Sequence, residues 1–447
     1  MLIRTVVGTF AGTRYAVNFL MKKIIDIAAM LYHLFTYLDS QWDLPGSGLF
    51  YFLTFRAGMA ILLSLIITIA FGHLVIKYLQ RLQVGEQVRE LGLAGQKEKA
   101  GTPTMGGLLI FLAIMVPSLL LADLSNIYIQ LLLLSTVWLA AIGFIDDYIK
   151  VFKKDKRGLS GKFKVLGQVG LGVIVAITML FHEDILVRMD AAEAQDRGLE
   201  VVKAVPFNNS AEATGPDFVY VQTTLTNVPF FKNNLIDYKD LLFFLGENAA
   251  VWAWIVFVPL VIFIVTAVSN GANLTDGLDG LAAGVSAVIV AALAILSYVS
   301  GNTVIAEYLN ILYLPYTGEI VVFSASFLGA CIGYLWYNAY PAKVFMGDTG
   351  SLMLGGLIAS LAILIRKELL IPILCGVFLI ENISVILQVG YFKYTKRTQG
   401  VGQRIWLMTP IHHHFQKKGI HESTIVVRFW IVAILLAVIT IITLKIR

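Results

Sequence analysis

"VPLVIFIVTAVSNGANLTDGLDGLAAGVSAVIVAALAIL", residues 258–296, decides the fold of this chain. Two apolar runs without a single charged side chain flank a short polar hairpin holding Asp276 and Asp279. A helix rises about 1.5 Å per residue, so about 20 apolar residues cross the roughly 30 Å hydrocarbon core of a bilayer. A helix also satisfies its own backbone polar groups, which lipid cannot do. The stretch therefore predicts two membrane helices joined by an acidic, glycine-padded turn at one membrane face.

The same alternation runs along the whole chain. Of its 447 residues 58% are hydrophobic and only 14% charged, where a soluble domain carries about a quarter charged residues. The sequence predicts an all-α integral membrane protein with about ten transmembrane helices. They fall near 55–76, 106–122, 127–145, 165–181, 250–269, 281–299, 320–338, 351–366, 369–389 and 425–444. No internal repeat or low-complexity linker divides them, so residues 50–447 read as one polytopic membrane domain behind an outer lead-in, 1–49. Cys331 and Cys375 lie inside apolar spans far apart in sequence, which points to packing and not to a disulfide.

Lys and Arg set the orientation. They crowd the loop after the first span (Lys77, Arg81, Arg89, Lys97, Lys99) and the loop after the third (Lys150, Lys153, Lys154, Lys156, Arg157, Lys162, Lys164). A third group follows the ninth span: Lys393, Lys396, Arg397, Arg404, Lys417 and Lys418. Loops 123–126 and 300–319 have none, and 367–368 adds only Lys367 beside Arg366. By the positive-inside rule the basic loops are cytoplasmic and both termini lie outside. The net charge of +5 is thus a loop bias and not a nucleic-acid surface. Residues 1–29 carry Arg4, Arg14, Lys22 and Lys23 around a weak apolar stretch with no clean cleavage site, which does not read as a signal peptide, and Met1 and Met30 stand as alternative starts. The outer loop 182–249 contains "LEVVKAVPF" and "DFVYVQTTL", whose alternation predicts a small β hairpin or ribbon.

With that topology every polar motif falls on the cytoplasmic side. "GTPTMGG" (101–107), "DDY" (146–148), "NLTDGLDG" (273–280), "NAYPAKVFMGDTGS" (338–351) and "TPIHHHF" (409–415) occupy five successive inner loops. Taken singly, Asp146, Asp147, Asp276, Asp279 and Asp348 read as helix caps or interfacial residues, and Asp276 suits the start of the sixth span. Five acids gathered on one face repel one another, and a divalent cation removes that cost. Oxygen ligands without Cys–His spacing point to Mg²⁺, which bridges phosphates. "GTPTMGG" places small residues before a helix, where free amides favour an anion, and Lys99 and Lys150 supply nearby cations. Consecutive helical residues point about 100° apart, so His412, His413 and His414 make a poor zinc site and suit phosphate binding or proton handling. Asn273, Asn338 and Gln388 put hydrogen-bonding amides at the same face, the last two at the inner ends of their spans. Phe345 suits stacking on a planar ring. Metal, phosphates, a flat ring and a lipid-facing position together suggest phosphoryl transfer from a nucleotide substrate to a membrane lipid. An ion or lipid transporter would carry its acids mid-span, and these lie at one face.

"GTPTMGG", "GFIDDYIKV", "NLTDGLDGLA", "NAYPAKVFMGDTGS", "VILQV" and "PIHHHF" resemble, in this order from about residue 50 onward, the phospho-N-acetylmuramoyl-pentapeptide transferases. These belong to the polyprenyl-phosphate N-acetylhexosamine-1-phosphate transferase superfamily. "PIHHH" points to the muramoyl-pentapeptide branch, with the N-acetylglucosamine-1-phosphate transferases as the alternative. The resemblance implies ten membrane helices with a cytoplasmic cleft in the bacterial inner membrane, commonly a homodimer. It also implies Mg²⁺-dependent reaction of UDP-MurNAc-pentapeptide with undecaprenyl phosphate to give lipid I and UMP. By motif, Asp348 resembles the Mg²⁺ ligand, and Asp146 and Asp147 the essential pair near the lipid phosphate. Asn273, Asp276, Asp279 and Asn338 match the nucleotide-binding and catalytic polar set. Lys99 and Phe345 match groups on the uridine side, with Thr104 in the neighbouring loop. Gln388 matches a pocket residue, and His412, His413 and His414 the essential histidine motif, His412 in a catalytic role. Three departures stand out: Thr409 where the family often has alanine, a longer outer loop, and residues 1–29 without a counterpart.

Overall fold

The computed structural model of the protein describes residues 30–42, 45–82, 99, 101–155, 157–205, 218–230 and 235–445. Residues 1–29, and with them the choice between Met1 and Met30 as the start, lie outside the described residues, as do Arg89, Lys97 and Lys156 of the basic loops.

Each of the ten expected spans falls on a helix, although the ninth, expected from residue 369, is broken at Cys375 and its long helix begins at Gly376. After a short helix α1 (Met30–Trp42) come α2 (Leu53–Arg81), α3 (Gly107–Leu121), α4 (Ile127–Val151) and α5 (Gly161–Phe181). Then follow α6 (Trp254–Thr275), α7 (Leu281–Ser300), α8 (Gly318–Asn338), α9 (Gly347–Leu364) and α10 (Gly376–Gln399). A short α11 (Ile411–Lys417) precedes the last span, α12 (Glu422–Thr443). Among the described residues nine helices are long and apolar enough to cross a membrane, and α3 is a shorter apolar helix.

α9 is the hub, and small residues make it so. A Cβ on Gly355 would stand 2.4 Å from the Val268 carbonyl oxygen of α6, and one on Gly356 2.0 Å from Leu139 of α4. Only glycine lets the helices approach this closely, the usual way membrane helices associate. As a result 89% of its most apolar stretch is buried inside the protein, against 28% for α2 and α12. Cys331 and Cys375 are free and buried, as their apolar spans predict.

Helix ends depart from the expectation. α4 continues past its apolar run and carries Asp146 and Asp147 inside the helix. α10 runs on to Gln399, so Gln388 stands well within it and not at its inner end. α6 reaches Thr275, so Asp276 closes that helix and does not open the next, whose N-cap is Gly280. Hydropathy marks where lipid ends, whereas a helix continues into the polar region as long as its side chains find partners there.

At the end opposite the acidic motifs, β1 (Val187–Asp190), β2 (Val201–Val205) and β3 (Phe218–Val221) form an antiparallel sheet of order β1-β3-β2. β4 (Leu225–Asn227) pairs with β5 (Leu235–Asp237). The expected hairpin is β2 with β3; β1 and the second pair were not expected, being too short to show alternation. The sheets are tied to the helices. The Asn227 amide donates to the Arg366 carbonyl at 3.1 Å, and Arg366 Nη2 donates to the Thr223 carbonyl at 3.0 Å. Lys367 donates to Asn227 Oδ1 and is buried. Burial pushes its ammonium down to about 7, against the pull of Glu368. Arg366 and Lys367 are therefore internal side chains, which is why they escape the loop-charge rule. Arg56 of α2 forms a paired contact with Glu319 of α8, at 2.7 and 2.6 Å, and lies 4.3 Å over the Tyr32 ring of α1.

Candidate active site

The site forms where α9 begins. Gly347 has φ +71°, and a Cβ there would stand 2.7 Å from Asp147 Oδ2, so both its conformation and its space require glycine. The first amides of a helix have no partner within it. Here Asp147, from α4, supplies one. Its Oδ1 accepts from the Asp348 amide at 3.0 Å, and its Oδ2 accepts from the Thr349 amide at 2.9 Å and the Thr349 hydroxyl at 2.5 Å. Asp147 thus caps α9 from a neighbouring helix and fixes where Asp348 stands.

Asp348 faces Asp146 across two lysines. Lys164 Nζ lies 2.5 Å from Asp348 Oδ2 and 2.9 Å from Asp146 Oδ1. Lys150 Nζ lies 2.5 Å from Asp146 Oδ2 and 3.3 Å from Asp348 Oδ2. Asn273 donates to Asp348 Oδ1 at 3.1 Å and to the Ser351 hydroxyl at 2.8 Å. Asp146, Asp147 and Asp348 each offer an oxygen within 4.8 Å of the others. Three carboxylates against two ammonium groups leave one negative charge in a set of hard oxygen donors, which fits a Mg²⁺-type cation.

A second cluster adjoins the first. Lys99 Nζ lies 2.6 Å from Asp279 Oδ1 and 2.6 Å from Glu422 Oε1, and 5.9 Å from the centre of the Phe345 ring. Burial pulls the Lys99 ammonium down, but Glu422 and Asp279 outweigh it and hold its pKa above the usual lysine value. The Asp279 amide donates to Glu422 Oε1 at 2.7 Å, and Asp279 Oδ2 accepts from the Ala342 amide at 3.0 Å. Asn338 joins two loops, accepting from the Gly280 amide at 3.0 Å and donating to the Val344 carbonyl at 2.9 Å. Asp276 is half-buried in the same hairpin.

At two expected positions backbone takes up the polar groups. The amides at the start of α3 are not free for an anion, because Gly106 and Gly107 donate at 2.8 Å to the carbonyls of Phe345 and Met346. The glycine loop, Thr104 included, instead lies alongside Phe345, whose amide donates to the Pro103 carbonyl at 2.8 Å. The Gln388 amide is likewise taken up by backbone. It accepts from the Ile405 and Trp406 amides at 2.9 and 3.0 Å and donates to the Trp406 carbonyl at 2.9 Å. It holds the loop that leads to the histidines.

The histidines diverge, as consecutive helical positions must. His412 is fully buried with Nδ1 3.1 Å from Glu381 Oε1. His413 Nδ1 lies 2.7 Å from Gln416 Oε1, and His414 Nδ1 accepts from the Leu407 amide at 3.2 Å. Burial, and then His412, push the His413 ring down to about 4. His413 is neutral at pH 7.

Residues 99–111 match the phospho-N-acetylmuramoyl-pentapeptide-transferase signature 1, and residues 218–366 match the glycosyl transferase family 4 model. The chain is 58% identical to the phospho-N-acetylmuramoyl-pentapeptide-transferase of Flavobacterium psychrophilum over 418 residues, 94% of this chain and 100% of the relative. It is 57% identical to the protein of that name from Flavobacterium johnsoniae and 54% to that from Parabacteroides distasonis, with the same two shares covered. The chain belongs to the phospho-N-acetylmuramoyl-pentapeptide-transferase family.

In this member of the transferase family, sequence reasoning missed Glu422, Glu381 and Thr349, and counted Lys164 only as loop charge. Glu381 carried a usable signal, an ionisable residue inside an apolar span. Glu422, an acid in the first turn of a helix, looks like any partner of a helix dipole.

Proposed function

We propose that the protein transfers phospho-MurNAc-pentapeptide from UDP-MurNAc-pentapeptide to undecaprenyl phosphate, giving lipid I and UMP, at the cytoplasmic face of the bacterial inner membrane. The observation that carries this is the convergence of Asp146, Asp147 and Asp348, with Lys150 and Lys164, beside the Lys99–Asp279–Glu422 cluster. In this reading Lys99, Asp279, Asp276, Asn273 and Asn338 hold the nucleotide sugar, and the uridine lies against Phe345 near Thr104. Gln388, His413 and His414 shape the same pocket.

Asp348, with Asp146 and Asp147, would hold Mg²⁺, which when bound neutralises diphosphate charge and eases departure of UMP. Catalysis by the chain itself is positioning and electrostatics, as in phosphoryl transfer generally. Asp146 takes the proton of the acceptor phosphate or keeps it ionised. The freed phosphate oxygen attacks the β-phosphorus, and the bond from that phosphorus to the bridging oxygen breaks, its electron pair leaving with UMP. Lys150 and Lys164 present positive charge to the group in transit. Asp147, with both oxygens on the first turn of α9, positions Asp348. We further propose, on the family resemblance, that two copies associate as a homodimer.

Purified protein in detergent, given undecaprenyl phosphate and Mg²⁺, is expected to release UMP from UDP-MurNAc-pentapeptide and not from UDP-GlcNAc. EDTA is expected to stop the release. Turnover of UDP-GlcNAc would move the protein to the sister branch, and full activity in EDTA would remove the metal.

A further inference from the structure

Glu381 stands in α10 within the membrane domain and His412 at the second position of α11, and both side chains are 0% exposed. Nδ1 of the ring is 3.1 Å from the carboxylate. Among the described residues neither ring nitrogen and neither carboxylate oxygen has a hydrogen-bond partner elsewhere. Burying two such groups with only each other costs free energy, so packing alone does not account for them.

The other face of the ring shows what the pair supports. A Cβ on Gly277 would stand 2.3 Å from His412 Nε2 and 2.9 Å from its Cε1. The ring is therefore the floor beneath the tip of the hairpin that carries Asp276 and Asp279. The rest of that hairpin is held elsewhere, by Glu422 at the Asp279 amide and by Asn338 at the Gly280 amide. The same α10 also holds residues 405 and 406 through Gln388, so one helix fixes both the loop leading to His412 and the ring itself. The ring has no exposed surface, and what it meets on this side is the backbone of the hairpin.

We propose that Glu381 and His412 are a positioning pair, Glu381 fixing the ring and the ring seating the 276–279 hairpin against the nucleotide sugar. This rests on the nucleotide-binding reading of that hairpin. It assigns Glu381 a role and moves His412 from proton transfer to positioning.

The test is steady-state kinetics of Glu381→Ala, Glu381→Gln, His412→Ala and the Ala–Ala double variant, all in detergent. Each alanine variant is expected to raise KM for UDP-MurNAc-pentapeptide about tenfold, with KM for undecaprenyl phosphate and the pH profile of kcat unchanged. The double variant should be no worse than either single one, because the two residues act as a unit. Glu381→Gln, which keeps an oxygen facing the ring, should recover most of the loss, and Gly277→Ala should reproduce it. A fall in kcat at unchanged KM in His412→Ala would overturn the proposal, as would additive losses in the double variant. Should Glu381→Ala fail to fold, Glu381→Gln and Gly277→Ala decide by the same criteria. Asp279→Asn separates the two readings: unchanged nucleotide KM there, with the Glu381–His412 coupling intact, removes the nucleotide site and leaves the pair standing.

Discussion

One oxygen of Glu422 receives both the Lys99 ammonium at 2.6 Å and the Asp279 amide at 2.7 Å. Loss of its charge therefore loosens a cation and a hairpin together. Glu422→Gln is expected to raise KM for the nucleotide sugar about tenfold while changing kcat little, the pattern of lost ground-state binding; equal losses in kcat would put Glu422 at the reacting atoms. Asp348→Asn removes charge where the three carboxylates meet, and UMP release is expected to fall about 10³-fold or more. Near-normal turnover with Mg²⁺ would displace Asp348 from the metal role. His413 predicts a pH effect on stability. Its pKa in the fold, about 4, lies below the ordinary 6.5, so the unfolded chain binds the proton more readily. The stabilisation is complete above about pH 6.5 and lost as pH falls toward 4, and His413→Gln should flatten that slope in thermal melts. The acids were legible as a group because their motifs fell on one face, and Lys99 because its motif named it. Their partners were not, since Glu422 and Lys164 gain meaning only from side chains far away in sequence.

The ten spans were legible because lipid enforces their length and polarity, but their polar ends were not. α4 and α10 outrun their apolar runs, and polar side chains on the added turns find partners: Asp146 and Asp147 on α4, Thr395 and Gln399 on α10. Gly347→Ala tests the α4–α9 junction. It asks L-alanine to adopt φ +71° and pushes a methyl to 2.7 Å from Asp147 Oδ2. Activity is expected to fall about 100-fold while the protein still melts cooperatively, and wild-type activity would show that the junction has slack. At the opposite end, Arg56→Leu leaves Glu319 without its paired guanidinium. Breaking a pair of this kind costs about 3–5 kcal/mol, and a clear drop in Tm in detergent is expected.

For the whole molecule the basic loops predict sidedness. With Cys331 and Cys375 both buried, single introduced cysteines report against a quiet background. A membrane-impermeant maleimide added to intact cells stripped of the outer membrane is expected to label Val304→Cys and spare Lys153→Cys; the reverse pattern would invert the topology. The small sheets were the least legible part, because β1, β4 and β5 are three or four residues long and owe their pairing to long-range partners such as Tyr313 and Arg366. The seclusion of α9 has a consequence for the membranes this protein can work in. A helix whose flanks meet lipid must tilt or stretch the bilayer when its length and the local thickness disagree. α2 and α12, largely uncovered by the rest of the chain, are placed to absorb such mismatch, whereas α9, sheathed by its neighbours, has little surface to offer acyl chains. The start of α9, and the acids gathered there, should keep their geometry as acyl chain length varies, so that turnover stays level across bilayers whose thickness visibly changes the tilt of the outer helices.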